Sequence, residues 1–119
     1  MNLHELPERL RRIKVSEKFE FLEEADKLVW ARLKNLERQM NEVKEHCNEV
    51  PLIRTELEQL WDNLDSLVFS WLFIFYSLYI RNDFKELADE MAIAIEGLDR
   101  LEKEWQRFLE KYSVGIIFV

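Results

Sequence analysis

The chain has 119 residues, room for one domain with one core, and its 17 basic against 24 acidic residues leave a net charge of −7. With 48% hydrophobic and 34% charged residues it has the composition of a folding globular chain, while two glycines and two prolines are too few for the turns of an all-β or open α/β fold. The single cysteine, Cys47, excludes an internal disulfide framework and a four-cysteine zinc site, and it fits a reducing compartment.

In chain order, residues 1 to 15 carry Arg9, Arg11, Arg12 and Lys14 around only Leu10, Ile13 and Val15. That pattern lacks the apolar run of a secretory signal, so the cytoplasm is the expected compartment. Leu3, Leu10 and Ile13 allow a short helix from near Pro7, packed on the rest of the chain. After Ser16, Leu22, Ala25, Val29, Leu33, Leu36, Met40, Val43 and Cys47 recur at steps of three and four, which predicts a first long helix over about 17–49. From Val29 onward the steps alternate four and three, the spacing of a coiled-coil-like seam. Pro51 disfavours a helical conformation at Val50 and is suited to the first turn of a helix, so it both ends the first helix and opens the second.

The second helix, predicted over 51–80, carries Ile53, Leu57, Leu60, Leu64, Leu67, Trp71, Ile74 and Leu78 on one seam. Its last half, Ser66 to Ile80, has no charge, but fifteen residues at about 1.5 Å each span roughly 22 Å, short of a hydrocarbon core of about 30 Å. A core helix is therefore expected rather than a membrane span. Asp83 with Glu86 three residues on reads as a capping box that starts a third helix over 84–112. Its seam runs through Phe84, Leu87, Met91, Ala94, Leu98, Leu101, Trp105, Phe108 and Tyr112. Gly97 inside that helix marks a close helix contact or a slight kink. Three long helices on short connections run up, down and up, so the predicted fold is all-α, an antiparallel bundle with a possible short N-terminal fourth helix, in a single domain over residues 1–119. The apolar end, Val114 to Val119, is expected to dock on this bundle.

Little in the chain carries chemistry. Nucleophilic catalysis needs a serine or cysteine near a histidine, and the only histidines are His4 and His46. His46 adjoins Cys47, but neighbours on a helix point about 100° apart and Cys47 lies on the seam. Glu42 and His46 make two metal ligands where a stable zinc site needs three or four. Asp62 with Asp65, and Glu86 with Asp89, are carboxylate pairs able to hold magnesium. Glu86, Leu87, Ala88 and Asp89 resemble one half of the motif of the all-α nucleotide pyrophosphatases, which would imply a magnesium-dependent enzyme. The other half, a helix dense in glutamates, is missing, and in an antiparallel pair the two acidic pairs fall roughly 20 Å apart. No catalytic, cofactor-binding or metal-ligating residue is therefore expected. Residues 1–18 hold five basic and three acidic groups, but the net acidic balance opposes nucleic-acid binding.

One surface is unusual. With Trp71 at zero and 100° per residue, Phe69, Phe73, Tyr76 and Ile80 cluster between about 140° and 200°, opposite the seam. Phe19, Phe21, Trp30, Ala92, Ile93 and Ile95 add apolar residues off the seams at the same end of the bundle. A helix apolar on opposite faces must be covered on both, and Leu3, Leu10 and Ile13 are too few to cover this one. Phe69, Phe73, Tyr76 and Ile80 are thus expected to form an interface, with a second copy of the chain as partner or another protein in a larger assembly. The alternative is a membrane-surface protein that uses the basic N-terminal segment and the aromatic stripe together.

Overall fold

The computed structural model describes residues 2–47, 49–81 and 83–112, with only the backbone course of 78–81. Among the described residues 93% are helical and none is in a strand. A 3-10 turn at Leu3–Glu5 leads into α1 (Leu6–Arg12), and a second turn at Val15–Glu17 leads into α2 (Lys18–Cys47). Then come α3 (Pro51–Arg81) and α4 (Phe84–Lys111). The three long helices pack antiparallel in a body of 51 × 26 × 17 Å, as the seams and short connections require.

Each boundary has a local cause. Pro51 is the first residue of α3, and the Asp83 side chain accepts the Glu86 backbone N–H at 3.1 Å to cap α4. The first long helix stops at Cys47, two residues short of the expected 49. The seams become the core: Leu22, Ala25, Val29, Leu33, Leu36, Met40 and Val43 of α2 are buried against Ile53, Leu57, Leu60, Leu64, Trp71 and Ile74 of α3. Leu87, Met91, Leu98, Leu101, Trp105 and Phe108 of α4 complete it. Cys47, expected inside, is only half-buried, at the last residue of α2, where it packs against the edge of the core. Two buried indoles tie the helices in register: Trp71 donates its Nε1–H to Asp26 at 2.8 Å, and Trp105 donates to Gln39 at 2.7 Å.

Gly97 does set a close helix contact. A Cβ built on it would lie 2.9 Å from Leu67 Cδ2, so only glycine leaves that methyl in place without a shift.

The N-terminal segment is the fourth helix, carried by Leu6 and Leu10, both fully buried, together with buried Leu3. It wedges between α2 and α4, which scarcely touch each other, and it stands across the bundle from α3. His4 pairs with Asp99, and Arg11 with Asp89, so the segment lies antiparallel along residues 89–99 of α4. Ala88 and Ile95, off the predicted seam, are buried on that stretch. Val114 to Val119, expected to dock, lie outside the described residues.

Candidate functional site

The outer face of α3 follows from the helical period. Trp71 points inward and is 1% exposed, while Phe69, Phe73 and Tyr76, on the opposite side, remain 72%, 57% and 66% exposed. The side chain of Ile80, the fourth residue of the expected stripe, lies outside the described residues. Leu72 joins the ridge at 49% exposure, and Ile93 of α4 rises beside it at 67%. These five large apolar side chains share one end of the bundle, at the height where α1 packs on the opposite side.

The ridge side chains wall a hollow between α3 and α4, about 970 Å³ in volume. Its floor consists of small side chains, Ser70, Ala94 and Gly97, over Leu67 and Ile74. Gly97 deepens it by letting the two helices approach. Glu90 and Arg100 stand at its α4 edge, and neither side chain has an ion-pair partner among the described residues. Sequence reasoning found the ridge and missed the hollow. The signal was the helical spacing of Ser66 with Ser70 and of Ala94 with Gly97, small residues on facing stretches of adjacent helices.

Three of the expected off-seam apolar residues do not belong to this face. Ile95 is buried on the side where α1 docks, and Phe21 is half-buried with the Arg9 guanidinium 5.9 Å from its ring centre. Phe19 packs edge-on to Phe84 at 6.1 Å, with the Lys18 ammonium over that second ring at 4.6 Å. The arginines of the N-terminal segment are similarly engaged. Arg11 holds Glu8 at 2.6 Å as well as Asp89, and Arg12 approaches Glu8 at 3.5 Å. The segment and the aromatic ridge thus lie on different sides of the bundle.

The polar candidates are spoken for locally. His46 donates Nδ1–H to the Glu42 carbonyl at 2.8 Å, and the Glu42 carboxylate accepts from Arg38 at 3.1 Å. With Gly97 opposite Leu67, Glu86 stands roughly 20 Å along the axis from Asp65 at about 1.5 Å per residue. Among the described residues no three His, Cys, Asp or Glu side chains gather closely enough to hold a metal ion. At the far end of α3 and α4, Lys111 donates to Glu56 at 2.5 Å, and this bond, with a further one from Tyr112, holds the Glu56 carboxyl below the usual carboxylate range.

Among the described residues no helix is long and apolar enough to cross a membrane. No protein-family model matches the chain, and neither the curated proteins nor the solved structures contain a match to it.

Proposed function

We propose that the chain is a non-enzymatic helical bundle that works through protein contacts, as a homodimer or a small subunit of an assembly, with the outer face of α3 and the edge of α4 as its interface. The carrying observation is the ridge itself: Phe69, Leu72, Phe73, Tyr76 and Ile93 stay open together, whereas Phe19 at the same end, 49% exposed, packs on Phe84 and Val15 stands open singly. Apolar patches of several hundred Å² on a folded chain mark partner surfaces, and aromatic residues are their usual anchors. The membrane-surface reading has less support, since it needs the arginines and the aromatics on one side, and Arg9 and Arg11 are engaged elsewhere. Cytoplasmic action goes with this proposal, and the single thiol of Cys47 fits it.

The solution mass tests this. At micromolar concentration the protein should sediment at twice its 14.6 kDa chain mass, and Phe73→Asp should sediment at the chain mass with unchanged helix content. A wild type that stays at the chain mass up to tens of micromolar overturns the homodimer and leaves the subunit reading, with a different protein on this face.

A further inference from the structure

We infer that the interface is a reciprocal ridge-into-hollow contact between two copies of this chain: Phe69 and Phe73 of each copy enter the hollow floored by Ser70, Ala94 and Gly97 of the other. This inference rests on the self-association reading and adds the geometry and the residues that set its specificity. Three features of the face carry it.

The first is shape. The ridge on α3 forms one wall of the hollow between α3 and α4, at one height along the bundle, with the floor of Ser70, Ala94 and Gly97 on its α4 side. A twofold axis parallel to the helices and running between them keeps heights unchanged and exchanges the two features, so each ridge lands on the other copy's hollow. A face that carries both a projection and a recess of matching position is self-complementary, which a closed two-fold pair demands.

The second is charge. Glu90 and Arg100, one of each sign, edge the hollow, and the ridge carries no charge at all. A partner selected for being acidic or basic would meet a rim of a single sign.

The third is area. At about 200 Å² per aromatic side chain, the exposed parts of Phe69, Phe73 and Tyr76 amount to roughly 400 Å² on each copy. Leu72, Ile93 and the hollow's floor extend this toward the roughly 800 Å² per partner of a standard stable interface. A small ligand in the hollow would touch only the inner side of the ridge residues that wall it; a second copy covers their outer side too.

The test is complementation between two variants altered only at exposed positions, with circular dichroism confirming that each keeps its helix content. One variant, Phe69→Ala with Phe73→Ala, loses the ridge, and with it one wall of its own hollow, but keeps the floor of Ser70, Ala94 and Gly97. The other, Ser70→Arg, fills the hollow but keeps the ridge. Each alone loses both contacts of the pair, so its dimer affinity should fall about a hundredfold or more. An equimolar mixture retains one intact contact, from the Ser70→Arg ridge to the other variant's hollow. With one variant labelled, sedimentation should show heterodimers at concentrations about tenfold below those at which either variant pairs with itself.

If Ser70→Arg dimerises like the wild type, or if the mixture pairs no better than its parts, the ridge-into-hollow geometry is wrong while self-association stands. If the wild type is monomeric, both fail. A distance measurement supplies an independent check. Spin labels at position 107 in a Cys47→Ser background sit at equal height in the proposed pair, within about 20 Å of each other. In an antiparallel pair centred on Ile93 they would be about 40 Å apart along the axis, at about 1.5 Å per residue, and that result would overturn the parallel axis.

Discussion

Trp71 and Phe73 are two residues apart on α3 and should answer substitution in opposite ways. Trp71 is 1% exposed, packs tilted against Phe75 with ring centres 5.1 Å apart and donates to Asp26. Trp71→Ala removes a large buried ring that its neighbours replace only in part, at a cost of about 3–5 kcal/mol. The lost indole hydrogen bond adds about 1 kcal/mol and no more, because Asp26 is half-exposed and takes up water. Against a total stability of about 5–15 kcal/mol, this removes a third or more of the folding free energy. With a urea dependence of about 2 kcal/mol per molar, the midpoint should fall by about 2–3 M. Phe73→Asp alters a side chain that is 57% exposed, and the cost to the isolated chain should stay within about 0.5 kcal/mol. Its effect should show instead in concentration dependence: the wild-type midpoint rises with protein concentration, and that of Phe73→Asp does not. Urea titrations followed by far-ultraviolet circular dichroism at two concentrations read both quantities. A Trp71→Ala shift below about 0.5 M, or a Phe73→Asp shift as large as that of Trp71→Ala, would refute the inward and outward assignment of the two faces.

Other substitutions test the frame that holds this face. Gly97→Ala gains about 1 kcal/mol of helix propensity but pushes Leu67 Cδ2 aside, the mobile end of a half-buried side chain, so its net effect by thermal melting should be near zero. Gly97→Leu should destabilise by about 1–3 kcal/mol, because a longer side chain drives α3 and α4 apart. Asp83→Ala removes the cap of α4 and should cost about 1 kcal/mol, read from the same melts. For pH, the Glu56 carboxyl is lowered in the folded chain, by the Lys111 bond first and the Tyr112 bond second. Its stabilising contribution is therefore complete above the ordinary carboxylate pKa and is lost as pH falls through the lowered value. Glu56→Gln should lose that part of the acid dependence, and an equal acid slope in both proteins, from midpoints measured at falling pH, would count against the pairing.

Much of the fold was legible because a long helix repeats its message. Eight or nine seam positions per helix outvote any local ambiguity, so the three helices, the turn at Pro51 and the cap at Asp83 could be read directly. The outward ridge was legible for the same reason, since the angle between Trp71 and Phe73 follows from the helical period alone. What the period cannot say is which neighbour covers an apolar face. Ile93 and Ile95 are both off the α4 seam, 200° apart, and nothing in their own spacing separates them, yet one is 67% exposed and the other 2%. The hollow was hidden for a related reason: it is made of what is missing, the side chains that Ser70, Ala94 and Gly97 do not have.

Charge decides which face the N-terminal segment takes. Residues 1–18 carry five basic and three acidic groups, while the remainder of the chain is acidic. On α4, Asp89 and Asp99 stand ten residues apart on either side of Ile95, and they receive Arg11 and His4. Nothing comparable exists on the outer face of α3, where the run from Ser66 to Ile80 holds no carboxylate to receive an arginine. Docking there would cover more aromatic surface, but it would part Arg11 from Asp89 and His4 from Asp99 and would place basic groups beside uncharged rings. The segment therefore settles on the apolar stripe that is bracketed by acid, and the stripe without charge stays open. A surface left over by this selection suits an occupant whose own contact face is uncharged, and the same face of a second copy meets that condition by construction.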